Sequence, residues 1–177
     1  MKIHLICLWS ISLLLFSCQQ EPSIEELEAI INQLNQEMEK AYNNGELQKV
    51  ANFYADDGWI IGPRGYKKQG RKEIDAYWTN ISQPIRWKLD VIKVAKTETE
   101  LYQTDYWQKM KNKPPHWRNI PIEFTEADPV LYQLGHSTLE YEREDVTHHI
   151  SQVDFIIVWK KQADGSYQIV VDTYEKN

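Results

Sequence analysis

Asp172 and Tyr174 stand two residues apart in "IVVDTY", Asp154 lies in "VDFIIVW" (153–159), and His136 precedes both in "LYQLGHSTLEY". A carboxylate, an imidazole and a phenol on neighbouring strands can bind a polar group or move protons by general acid–base chemistry. Asp154, His136 and Asp172 are therefore the candidate catalytic residues, set against structural hydrogen bonding as the default. Asp56 and Asp57, in "FYADDGWIIGP", are a second acidic pair. Aspartates bond nearby backbone groups where a helix gives way to a turn, and Asp57-Gly58 has turn chemistry, so this pair is read as structural. His148 and His149 are adjacent, and adjacent residues on a strand face opposite sides, so the two rings cannot chelate one ion. The sequence has no Gly-rich phosphate loop and no nucleophile elbow, and neither a metal nor a cofactor is expected.

The elements that must position these groups follow from periodicity. Ser23 with Glu26 is a capping box, and Ile24, Leu27, Ile30, Ile31, Leu34, Met38 and Ala41 recur at helical spacing until "NNG" stops the run, which predicts a helix over 24–43. Shorter helices are expected at 46–54 and 71–81. The remainder alternates as strands: short ones in "GWIIG" and "RGYKKQ", then 85–97, 130–142, 147–161 and 166–175, the last two joined by an Asp164-Gly165 hairpin. Helices followed by an antiparallel meander imply an α+β fold with the helices on one face of the sheet. In 153–159 both faces are apolar, so the second face needs a cover, either a second copy of the chain in a homodimer or the insertion at 102–128. That insertion holds Pro114, Pro115 and Pro121 and is either a lid over a cavity or a surface excursion.

Residues 1–17 have a basic start at Lys2 and an apolar run of about 14 residues, too short to span a bilayer, followed by Cys18. The stretch "LFSC" resembles a lipobox, which implies a lipidated Cys18, a tether at 18–22, a domain at 23–177 and a place in the bacterial envelope. Gln19 in place of Asp favours the outer membrane. The only other cysteine, Cys7, lies in the leader, so no disulfide is expected. The formal net charge is −6, and about −7 without Lys2, which disfavours nucleic acid as a partner.

The first helix ending in "NNGEL", then "VANFYADDGWIIGP", "GRKEIDAYW" and "VDFIIVWKKQADGSYQIVVDTY", together resemble the nuclear transport factor 2-like superfamily in its SnoaL-like and ketosteroid-isomerase-like branch. The resemblance implies a cone of three N-terminal helices packed on a curved antiparallel sheet enclosing a pocket, with dimers through the outer sheet face. It places a small, largely apolar ligand against Tyr54, Trp59, Tyr77, Trp78 and Tyr174, with Trp107 or Trp117 added if the insertion folds over the mouth. The isomerase base and oxyanion positions correspond to Gly62 and Met38, neither of which can do that chemistry, so the isomerase mechanism is not expected. SnoaL-like domains carry an acid near Asp172, and the isomerases carry one near Asp154.

Overall fold

The computed structural model describes residues 21–110, 124, 128–143, 145 and 147–176. Helix α1 (Ile24–Asn43) opens with the expected capping box: the Glu26 backbone N–H donates to Ser23 Oγ at 3.2 Å and the Ser23 N–H to Glu26 Oε2 at 2.8 Å. It ends where Gly45 turns left-handed at φ 74°, so that its N–H reaches the Tyr42 carbonyl. Leu27, Ile31, Met38, Ala41 and Tyr42 face inward. Helix α2 (Leu47–Ala51) is shorter than the expected 46–54, because Tyr54 already belongs to strand β1 (Tyr54–Ile61).

Arg71 joins these pieces. Its Nη2 donates to the Ala51 carbonyl at 2.7 Å, its Nη1 to the Tyr54 carbonyl at 3.0 Å, and its Nε to Asp75 at 2.8 Å. Asp56 and Asp57 therefore do not close a helix. They sit exposed on β1, within the bulge between Tyr54 and Trp59. Gly58 belongs to the same bulge, where a Cβ would come within 3.1 Å of the Ile169 carbonyl oxygen.

A short turn (Pro63–Gly65), β2 (Lys67–Gln69) and α3 (Gly70–Thr79) follow, then β3 (Pro84–Ala95), two small helices α4 (Glu98–Tyr102) and α5 (Asp105–Met110), and the strands β4 (Val130–Glu142), β5 (His148–Lys161) and β6 (Tyr167–Lys176). The sheet order is β2-β1-β6-β5-β4-β3. The expected antiparallel sheet is corrected to a mixed one, since β1 runs parallel to β6 while every other pair is antiparallel. The helices separate β1 from the later meander, so no hairpin constrains its direction. Bulges in β1, β3 and β6 help to bend the sheet into the wall of a cone.

Each face of the sheet has its own core. The inner one joins α1 and α3 to Trp87, Leu89, Phe155, Ile157 and Trp159. The outer one joins Ile156 and Val158 to Leu101 of α4 and Trp107 of α5. The apolar outer face of 153–159 is thus covered within the chain by the first part of the insertion, whose start moves from 102 back to Glu98. Residues 111–123 and 125–127 of the insertion, Trp117 among them, lie outside the described residues, as do Cys18 and the leader.

Candidate functional site

Helix α3 and the concave face of the sheet enclose a cavity of about 600 Å³. The apolar wall is aromatic: Trp78 tilts against Trp87 with ring centroids 5.0 Å apart, and Tyr77 meets Trp78 edge-on at 5.2 Å. Both tryptophans are fixed from behind by Tyr42, at 6.3 Å and 5.8 Å. Trp87 donates its indole N–H to Ser137 Oγ at 2.9 Å. The buried Trp78 Nε1 has no hydrogen-bond acceptor at full geometry, although it lies close enough to Tyr54 to favour that oxygen's ionised form slightly.

Asp172 is the one carboxylate on this wall among the described residues. It sits on β6 between Val171 and Thr173, both of which turn to the other face, and accepts a 2.6 Å hydrogen bond from Tyr54 Oη. Facing a cavity rather than bulk water, it pays a desolvation penalty when ionised, which pushes its pKa up to about 6 against the opposing effect of the Tyr54 hydrogen bond. Burial first, and the Asp172 charge second, push the Tyr54 phenol well above the usual tyrosine value. Tyr54 therefore stays a neutral donor. Tyr77 is also raised, by burial and then by Tyr174 and Asp172, and it donates toward the Tyr174 oxygen.

Of the expected ligand-binding residues, Tyr77, Trp78 and Tyr174 line the cavity. Tyr54 does not lie at the mouth: it is buried behind Asp172, which it holds. Trp59 is misplaced by the expectation, because it is one residue from the inward-facing Ile60 and so packs on the outer face with Tyr102 and Tyr106. Trp107 packs on that outer face too, stacked on Tyr102 at 4.6 Å, so the described part of the insertion is no lid over this cavity.

His136 and Asp154 are brought together, but away from Asp172. They are direct partners across β4 and β5, with Nδ1 and Oδ1 2.5 Å apart, and both point to the outer face. Tyr106 of α5 completes that group, edge-on to His136 at 5.2 Å and bonded toward Asp154. The single set of His136, Asp154, Asp172 and Tyr174 is therefore corrected to two sets on opposite faces, since Val153 and Phe155 take the inward positions on either side of Asp154.

Met38 is fully buried core. At Gly62 a Cβ would lie 2.7 Å from Tyr174 Oη, so the Tyr174 phenol occupies the space that a side chain at the isomerase base position would need. Among the described residues no group of three or more His, Cys, Asp or Glu could hold a metal ion. His148 approaches Glu140 while His149 packs on Tyr141. Trp87, Phe155 and the cations Arg64, Lys68 and Lys176 also line the cavity, and sequence reasoning singles out none of them. Strand alternation from Asp172 and Val153 is the signal for Phe155; nothing local marks the cations.

Solved structures share this architecture. A ketosteroid isomerase-like protein from Erwinia carotovora atroseptica aligns with a TM-score of 0.57 at 15% identity, over 84% of this chain and 94% of its own. Aln2 from a Streptomyces species aligns with a TM-score of 0.58 at 11% identity, over 88% and 93%. The chain has the nuclear transport factor 2-like fold. A putative calcium/calmodulin dependent protein kinase II association domain from Xanthomonas campestris has this fold too, with a TM-score of 0.52 at 15% identity over 83% and 85%. The nuclear transport factor 2-like fold thus carries unlike roles, and the site must decide the function. No family model matches the sequence, and no curated protein matches it.

Proposed function

We propose that the cone binds a small, largely apolar molecule, on a domain held at the bacterial envelope, in the outer membrane, through a lipidated Cys18. The observation that carries the ligand reading is the cavity of about 600 Å³, walled by Trp78, Trp87 and Phe155 and containing, among the described residues, one carboxylate, Asp172. Its size falls within the range of small-molecule sites, and its few convergent polar groups suit a flat body with one hydrogen-bonding substituent. The lipid anchor rests on the sequence around Cys18.

A second reading, acid–base turnover of the bound molecule without metal or cofactor, is favoured by Asp172 alone. A carboxylate with a pKa of about 6 is mostly ionised at neutral pH yet basic enough to take a proton from an acidic carbon or hydroxyl. Tyr54 holds its second function ready, as a donor that steadies the carboxylate before transfer. The isomerase arrangement is not reproduced, because Gly62 supplies no base.

Native mass spectrometry of the protein purified from its source membrane tests these readings together. The expected result is a chain beginning at an acylated Cys18 with a co-purifying small molecule. An Asp172→Asn variant that carries a different, unconverted molecule supports turnover, and one that carries the same molecule supports binding alone. An empty protein that shows no thermal shift with any member of a metabolite panel sinks the ligand reading and leaves a protein-interaction module.

A further inference from the structure

Three cations line this cavity from three separate segments, Arg64 from the turn after β1, Lys68 from β2 and Lys176 from the end of β6, and the exposure of Arg64 and Lys176 puts them on its solvent side, the mouth. The chain as a whole is acidic, with a formal net charge of −6, so this is a local reversal of sign. Elsewhere Lys49, Arg71, Arg86, Lys88, Lys93 and Lys160 each sit beside a carboxylate, while Lys40, Lys67, Lys72 and Lys161 have no ion pair among the described residues; what sets the cavity apart is that three such cations line one opening. None of the three mouth cations is ion-paired among the described residues.

Arg64 is also held in an uncommon way. Its backbone is left-handed at φ 58°, ψ 30°, followed by Gly65 at φ 80°, and the turn is closed by the Gly62 N–H on the Tyr66 carbonyl at 2.9 Å. A non-glycine residue in that region is sterically disfavoured, and such strain concentrates at ligand clamps. Lys68 lies over the Tyr66 ring at 5.7 Å, which orders it beside the same opening.

The deep end has the opposite sign. Asp172 is the only carboxylate of the lining among the described residues, so an anionic substituent placed there would meet like charge, whereas at the mouth it would meet three cations. Between the two ends lies the aromatic wall of Trp78 and Trp87.

We infer that the ligand of this cavity is an amphipathic anion, an aromatic or other flat apolar acid whose carboxylate is held at the mouth by Arg64, Lys68 and Lys176 while its body lies against Trp78 and Trp87. The inference rests on the ligand reading above and adds the chemical class of the ligand and its direction of entry. Unpaired cations around a low-dielectric opening concentrate field lines there, so anions are also steered inward from solution.

The test compares 2-naphthoate with its neutral isostere 2-naphthamide by titration calorimetry on the protein expressed from its full-length sequence. A blank titration into buffer alone is subtracted. The naphthoate is expected to bind roughly ten-fold tighter than the amide at low salt, a preference that shrinks as salt screens the mouth. An Arg64→Asn, Lys68→Gln double variant should lose most of this preference, asparagine being a residue that tolerates the left-handed backbone. A Lys40→Gln, Lys161→Gln double variant, the same loss of two positive charges at exposed positions that do not line the cavity, should keep it. Equal binding of the two probes, or a preference that survives the double variant, overturns the anion inference while leaving the ligand reading in place. Failure of both probes to bind at millimolar concentration overturns the aromatic-acid inference, and the ligand reading falls with it where the protein is also empty and unshifted by the metabolite panel.

Discussion

Asp172 is the residue at which structure and chemistry meet most directly. In an unfolded chain an aspartate ionises near pH 4 (about 3.9), whereas here desolvation raises the group to about 6. Below about pH 3 it is protonated in both states and costs folding nothing. As pH rises through 6 the unfolded chain has already released the proton, and the folded state loses stability by up to about 3 kcal/mol, a loss complete above that range. Asp172→Asn cannot ionise and still offers Tyr54 an acceptor. The variant should match the parent in denaturant stability near pH 3 and exceed it by about 1–3 kcal/mol at pH 8. An equal difference at both pH values would mean that the carboxylate is not desolvated in the folded state. The acid itself was visible in "IVVDTY", but its partner Tyr54 lies 118 positions away, and no spacing rule connects them. For Trp59 and Asp154 the opposite holds: alternation against Ile60 and Phe155 places both on the outer face, so that part was legible and the resemblance misled it.

At the scale of elements, helix α1 does more than bury its apolar stripe. Strand β3 ends the sheet order and would expose unpaired backbone groups along its free side. Two side chains from the last turns of α1 cover that edge: Asn43 Oδ1 accepts from the Trp87 N–H at 2.7 Å, and Glu39 Oε1 accepts from the Leu89 N–H at 2.6 Å. Trp87 and Leu89 both line the cavity, so these bonds also hold one of its walls. Glu39→Ala should cost about 1–3 kcal/mol, as expected for a hydrogen bond to a charged group, and hydrogen exchange at the Leu89 amide should speed up relative to the β4–β5 ladder. Unchanged protection at Leu89 would show that the edge is held by packing alone. The helix and the strand were each legible from periodicity. Their contact was not, because polar residues near a helix end read equally well as solvated surface.

The whole molecule has two apolar sheet faces and two ways of covering them. Helices α1 and α3 close the inner one and leave the cavity, while α4 and α5 lie on the outer one, with Leu101 and Trp107 over Ile156 and Val158. The need for a cover was legible in "VDFIIVW", but the choice between a second copy and the insertion was not, since Pro-rich sequence says where a strand cannot be rather than what a loop rests on. With the cover supplied in the chain, a sheet-to-sheet homodimer would have to displace α5, at the cost of burying Trp107 elsewhere. The parent protein should therefore sediment as a monomer at micromolar concentration. Trp107→Ala removes a ring that is 8% exposed and stacked on Tyr102, and should lower stability by about 3 kcal/mol. It should also enlarge the apolar patch enough to drive self-association, seen as a concentration-dependent dimer in sedimentation velocity. A parent that is already dimeric, together with a Trp107→Ala variant of unchanged mass and stability, would mean that the outer face is covered by the partner and not by α5. A monomeric variant that is merely less stable would assign α5 a packing role without one in blocking association.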